Sequence, residues 1–438
     1  MLNSHIVKNI ISKFFGLGVN LINQIALIPL FITFWGVEKY GDWIIISTIM
    51  SFFSMSNVGF NDVMANKFIV AHTENKEALC RKYLTNNYIL LIFASIVCLL
   101  GLSIFVSFFD IEKLFSTKVT SGKELVFVIY FLFFQIITAQ FSSVLNAVYR
   151  SVKKTYIAFY LEDGVKVIEL IIMLICIYYN FSFVLLSFLL VIPKVVLWGY
   201  KILNIPKYFN YYFTLRDFDF KILKNAALPS VSFMAFPAGY AIMNQGFTLV
   251  VAKNYSAEIL ILFSTTRTLC NFIRTFIGIF QVSIWPEYSI AYGNKDISKM
   301  QKIHRNSIYI TVALTSIIGL GLLVFGPLIY NIWTNNQITF NFDLMLVFLC
   351  SILVGNLWYS SSVVQMATNK HQSISLFFLF FSMLSLFVSH LVINFNDSII
   401  YIVLCLLVLD LPLSIITLTQ SLKLTNDSFY KLVFNIKI

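Results

Sequence analysis

Twelve long apolar runs, separated by polar breaks, fill the chain and leave few folds open to it. A membrane-crossing helix needs roughly 20 mostly apolar residues, because the hydrocarbon core is about 30 Å thick and a helix rises about 1.5 Å per residue. The runs lie near residues 12–35, 42–66, 87–109, 123–147, 157–178, 183–203, 226–250, 256–283, 306–331, 342–366, 374–394 and 399–420. They are too long for barrel strands and do not alternate, so helix is the spanning form. Composition agrees. Apolar residues make up 59% of the chain and charged residues 12%, whereas a soluble domain is about 25% charged. A lipid bilayer is the solvent that makes such an outer surface tolerable. The first run is too long for a signal-peptide core and no A-x-A-like site follows it, so it reads as a retained span.

The net charge of +11 does not point to nucleic acid, because the basic residues sit between apolar runs and no nucleic-acid motif accompanies them. There they set topology and meet anionic lipid headgroups. With the N-terminus cytoplasmic, 22 of the 31 Lys and Arg fall on inside segments, five on outside segments, and Lys166, Lys194, Arg267 and Arg274 within spans. That asymmetry predicts both termini on the cytoplasmic side and an even number of spans. The stretch 204–225 divides the chain into two six-helix bundles, 1–203 and 226–438, joined by a cytoplasmic connecting loop. The expected fold class is thus an all-α integral membrane protein of about twelve helices around a central cavity, an internal-repeat plan common among transporters.

Six scattered cysteines and five scattered histidines make neither a disulfide framework nor a metal site. No phosphate-cradling loop and no hydrolase-like cluster occurs, so no cofactor and no enzyme activity are expected. The chemistry lies inside the spans, where a charge costs at least about 2.5–3.5 kcal/mol on insertion scales. The eighth span is the clearest case. Ser264, Arg267, Asn271, Arg274, Gly278 and Gln281 are spaced three and four apart and share one helix face. Two arginines two turns apart, with no acid within a turn, suit either a cavity that meets an anion or packing against acids on other helices.

Weaker stripes recur. The first span carries Lys13, Gly16, Asn20 and Asn23. The second carries Ser47, Ser51, Ser54 and Asn61 beside Asn57 and Asp62, and the fourth Gln135, Thr138, Ser142 and Asn146. The tenth carries Asn356, Ser360 to Ser362, Gln365 and Asn369. Small hydroxylated residues also mediate ordinary helix packing in membranes. The fifth span holds Glu162, Asp163, Lys166 and Glu169, with Lys166 spaced to pair with Glu162 and Glu169. This cluster reads as a structural network or as a proton- or cation-coupling site. Asp410, near Pro412, reads as a proton carrier or a helix-capping partner, and Lys194 beside Pro193 as a snorkelling lysine.

The segment 36–43 (GVEKYGDW), followed by a serine-rich span ending SNVGF at 56–60, resembles the first-to-second-helix signature of Wzx-type polysaccharide-biosynthesis flippases. These belong to the multidrug/oligosaccharidyl-lipid/polysaccharide exporter superfamily. FSTTRTL at 263–269, WPE at 285–287, NIW at 331–333 and ATNKH at 367–371 are similar to the same family's later helices. The resemblance implies two six-helix bundles facing a central cavity in the bacterial cytoplasmic (inner) membrane. It implies an undecaprenyl-diphosphate-linked oligosaccharide as substrate, moved between leaflets for O-antigen or capsule synthesis alongside other polysaccharide-assembly proteins. Arg267 matches the family's eighth-helix arginine. Arg274, Lys13, Asn271, Gln281 and Asn20 join it from spacing alone as candidate anion-site residues. Glu162, Asp163, Lys166, Glu169 and Asp410 remain candidates for coupling to a proton or sodium ion. A drug/cation antiporter of the same superfamily and a membrane polysaccharide polymerase are the competing readings.

Overall fold

In the computed structural model, residues 4–54, 59–109, 121–333, 339–395 and 398–434 are described, and every regular element among them is helical. The chain divides into two compact units, residues 1–227 and 228–438. By length and apolar composition, nine helical stretches among the described residues are able to cross a membrane.

The first unit contains α1 (Ser4–Ser54), α2 (Phe60–Thr73), α3 (Glu77–Phe108), α4 (Gly122–Val144), α5 (Asn146–Ser151), α6 (Thr155–Tyr178) and α7 (Phe183–Asn204). α1 packs on α6, α4 on α7, and α6 on α7. The 24-residue α6 is long enough to span, although it carries four charged residues. Beyond α7 the chain makes 3₁₀ turns at Ile205–Lys207 and Leu215–Asp217.

α8 (Phe220–Ala241) begins in the first unit and ends in the second, which goes on with a π-helical segment (Ile242–Gly246), α9 (Phe247–Asn254), α10 (Ala257–Gly293) and α11 (Ile297–Trp333). The second unit continues with α12 (Phe342–Ala367), α13 (Gln372–Val392), α14 (Ile399–Leu404), α15 (Leu406–Leu424) and α16 (Phe429–Phe434). α12 is its axis, contacting α10, α11 and α15 and burying side chains along its whole length.

Several helix starts are written locally. Ser121, Ser182, Ser256 and Asn341 each accept a hydrogen bond from a backbone N–H three residues on. Each thus satisfies an amide that the helix leaves unpaired. Other boundaries differ from the sequence reading. α1 does not stop near residue 35 but runs on to Ser54 with a kink at Gly36, whose φ of 77° and ψ of 166° suit glycine alone. The second run does not reach residue 66 as one helix. Gly59, at φ 112°, breaks the chain, and Phe60–Thr73 forms a separate helix. The polar stretch between the eighth and ninth runs is mostly helix, interrupted only between Gly293 and Ile297. Charged residues end an apolar run but not a helix, which continues into water as long as its amides stay paired. Gly36→Ala is expected to destabilise the protein by about 1–3 kcal/mol, visible as a thermal midpoint lowered by several degrees. An unchanged midpoint would show the kink to be relaxed.

The outer surface is apolar in stripes. On α3, Ile92, Phe93, Ile96, Val97, Leu100, Ile104 and Phe108 are all exposed at three- and four-residue spacing. On α13 the same holds for Leu376, Phe380, Met383, Phe387 and Leu391. A patch of this extent is unsuited to water and suited to lipid.

Candidate functional site

In the first unit two acids of the fifth span, Glu162 and Glu169, face the sixth. Helices α6 and α7 run antiparallel, so ascending positions on one oppose descending positions on the other. Glu162 and Glu169 are seven residues apart, two turns on one face, as are Lys194 and Lys201. The two rows pair accordingly. Lys201 Nζ lies 3.1 Å from Glu162 Oε1, and Lys194 Nζ lies 3.0 Å from Glu169 Oε2. The fourth-span stripe completes the ladder. Asn146 Nδ2 donates to Glu162 at 2.7 Å and Asn146 Oδ1 accepts from Lys201 at 2.7 Å, while Gln135 Nε2 donates to Glu169 at 2.8 Å.

Lys166 therefore does not pair with Glu162 and Glu169 as its spacing suggested. Both are occupied from α4 and α7, and Lys166 instead contacts Asp163 at 2.8 Å. Asp163 fits against α1 because Gly16 has no side chain; a Cβ there would overlap its carboxylate. Lys13, on the same α1 face, stacks over the Phe159 ring at 3.6 Å. It lies within electrostatic reach of Glu162 and Asp163 but forms no ion pair among the described residues. Asn20 is exposed. Asn61 donates to Ser143 at 2.7 Å, and Asp62 meets Arg150 at 3.2 Å. Asn57 and the side chains of Ser47, Ser51 and Ser54 lie outside the described residues.

In the second unit the six-residue stripe of α10 does not serve one purpose. Its far end is locked. Gln281 Nε2 donates to Thr311 and Ser360, and its Oε1 accepts from Ser307, all buried. The tenth-span stripe is likewise a packing seam, with Asn356 donating to Thr315 and Gln365 to Ser421 and the Thr417 carbonyl. The middle of α10 opens onto a cavity of about 300 Å³ lined by Tyr240, Asn244, Asn271, Arg274, Asn356 and Tyr359. The mouth-side guanidinium of Arg274 lies 3.8 Å from Asp410 on α15. Asp410 is 1% exposed. It also accepts from Ser351 Oγ at 2.8 Å and Trp358 Nε1 at 3.1 Å. Gly355 lets the pair approach α12: a Cβ there would sit 2.9 Å from Arg274 Nη2 and 3.0 Å from Asp410 Oδ1.

Arg267 reads a broken helix. The π-helical segment Ile242–Gly246 leaves the Asn244 carbonyl open to partners outside the regular ladder. Arg267 Nη1 donates to it at 2.9 Å and Nη2 donates to Thr248 Oγ1 at 2.8 Å, while Thr248 itself donates to the same carbonyl at 2.7 Å. The guanidinium also lies 4.9 Å over the Phe263 ring. Thus, among the described residues, Arg274 has a carboxylate partner and Arg267 has only neutral ones. The sequence reading singled out neither Lys201, which is fully buried, nor Trp358 as a donor to Asp410. The seven-residue spacing from Lys194 was the available signal for Lys201.

No family model matches the chain, and no curated protein matches it. Solved structures do. A MATE transporter in the bent conformation superimposes with a TM-score of 0.78 at 14% identity, covering 96% of each chain. An outward-facing multidrug resistance MATE family transporter of the MOP superfamily gives 0.77 at 13%, covering 96% of this chain and 95% of that one. A MOP superfamily transporter from Pyrococcus furiosus, described by the reverse polarity of its binding pocket, gives 0.73 at 13%, covering 98% and 96%. The chain therefore has the fold seen in MATE transporters.

Proposed function

We propose that this protein is a flippase that moves an undecaprenyl-diphosphate-linked oligosaccharide from the inner to the outer leaflet of the bacterial cytoplasmic membrane by alternating access. The observation that carries this reading is the charge left over inside the two units. Lys13 rests on an aromatic ring and Arg267 on a carbonyl, a hydroxyl and a ring, so neither has a carboxylate in contact among the described residues. An interior cation without a partner is costly in a membrane and marks a functional site by default. Its complement is an anion such as a diphosphate, which the planar arginine fork suits. Arg274, Asn271 and the tyrosines of the second-unit cavity supply polar groups for sugars. The motif resemblance at 36–43 and 263–269 points the same way. In this account twelve spans form two six-helix bundles with both termini cytoplasmic, and rocking of the bundles exposes the site to either leaflet.

The fold alone does not choose a substrate. One neighbour is a multidrug resistance transporter, and another has a pocket of reversed polarity that suggests a different function. The buried Asp410 keeps a second reading in play, that of a cation-coupled antiporter. Deleting the gene separates the two. Lipid-linked repeat units trapped on the inner leaflet are the outcome expected of a flippase; normal glycan export with increased sensitivity to cationic drugs is that expected of an antiporter.

A further inference from the structure

A second depression lies in the first unit, and none of the ladder's charged residues lines it. Its volume is about 440 Å³, within the range of about 300–1,000 Å³ typical of small-molecule sites. Aromatic rings form its walls: Tyr88 from α3, Phe141 from α4, Trp198 from α7, and Tyr211, Tyr212 and Phe213 from the stretch after α7. The rings support one another. Tyr88 stacks on Phe141 and on Tyr211, and Phe141 stacks on Trp198. Tyr211 is tied down by its hydroxyl, 3.4 Å from Thr85 Oγ1, and burial pushes its phenol up to about 12.

The groove sits at a defined level of the unit. Three basic segments meet beside it at one end. Lys82 contacts Asp219, Asn86 accepts from the Asp219 amide and donates to the Asp217 carbonyl, and Lys154 lies over the Tyr208 ring. On the other side the groove opens onto the lipid-facing stripes through Ile92 of α3 and Ile202 of α7, both exposed. It therefore joins a basic end, where headgroups lie, to an apolar flank, where acyl chains lie.

The rim supplies a charge. Arg81 holds its guanidinium 5.6 Å over the Tyr212 ring and has no carboxylate partner among the described residues. Lys207 and Arg216, both exposed, flank Tyr211–Phe213 in sequence. An aromatic trough with an arginine at its basic lip matches a molecule with an apolar chain and a phosphate.

We infer that this groove binds an anionic glycerophospholipid, with one acyl chain against Tyr88, Phe141 and Trp198 and the phosphate at Arg81. The site is independent of the transported substrate and would tie the stretch after α7 to the composition of its leaflet.

Trp198 provides the readout. The full-length protein with Trp35, Trp43, Trp285, Trp333 and Trp358 replaced by Phe is reconstituted into vesicles containing brominated phosphatidylglycerol or brominated phosphatidylcholine. Phosphatidylglycerol is expected to quench Trp198 at several-fold lower mole fraction than phosphatidylcholine. Arg81→Gln removes the preference, and Arg81→Lys keeps most of it. Equal quenching by the two lipids, or a preference untouched by Arg81→Gln, overturns the inference and leaves only an annular chain. Native mass spectrometry of the wild-type sequence against Arg81→Gln, counting retained phosphatidylglycerol, gives the same decision if the five-fold tryptophan variant does not fold.

Discussion

Glu162→Gln is expected to destabilise the protein by about 3 kcal/mol, and the double variant Glu162→Gln/Lys201→Met to be more stable than that single one. Lys201 is fully buried. Its ammonium faces Glu162, Asn146 and, at 3.5 Å, the Ser142 carbonyl. Removing the carboxylate leaves a buried cation with neutral partners only, and breaking a buried pair from one side costs about 3–5 kcal/mol. The low end applies because the Glu162 side chain is 34% exposed, and water offsets part of its contribution. Replacing both partners removes the stranded charge, and methionine fills a volume close to that of lysine. Thermal unfolding in detergent reads the order: wild type, then the double variant, then the single. A single variant as stable as the wild type would mean that the ladder contributes nothing to the fold.

The second large effect is functional. Arg267→Ala is expected to lower glycan export at least about tenfold while the protein still accumulates in the membrane. A tenfold loss corresponds to about 1.4 kcal/mol, less than one charge-assisted contact to a phosphate can supply. Stability should change little, because Thr248 continues to donate to the Asn244 carbonyl when the guanidinium is gone. Arg267→Lys should not rescue. One ammonium cannot reproduce the planar fork that reaches the Asn244 carbonyl and Thr248 Oγ1 together. Export that survives both substitutions removes Arg267 from the site. Loss of the protein from the membrane assigns it instead to holding the π-helical segment.

Much of this molecule was legible before its structure. Apolar runs give the helices, because the bilayer admits no other way to pair their backbone amides. Three- and four-residue spacing gives the faces, and the stripes on α4, α6 and α10 all contain residues that meet across helices. What spacing on one helix cannot give is the partner on the next. Lys166 was assigned to Glu162 and Glu169 by proximity along α6, but α7 runs antiparallel beside it and brings Lys194 and Lys201 to those acids. Arg274 and Arg267 look equivalent on a helical wheel. Only the neighbouring elements separate an arginine facing a carboxylate, Asp410 of α15, from one facing a carbonyl and a hydroxyl, Asn244 of the π-helical segment and Thr248 of α9. The same limit explains Gln281, whose polar side chain joins a buried hydroxyl cluster shared with α11 and α12. Backbone breaks at Gly36 and Gly59 depend on φ values that glycine permits but does not announce. The π-helical segment near Asn244 left no sequence mark beyond Pro237 before it and Gly246 at its end.

We propose an interior matched to an anionic lipid-linked glycan. This match is tested most directly in proteoliposomes loaded with a fluorescent undecaprenyl-diphosphate-linked oligosaccharide, by following how much label becomes accessible to a quencher that does not cross the membrane. The account predicts that the wild-type protein moves the lipid across the bilayer, that free inorganic diphosphate slows it, and that Arg267→Ala stops it. Proteoliposomes that leave the lipid on its original leaflet but move a cationic dye under a proton or sodium gradient would contradict the account.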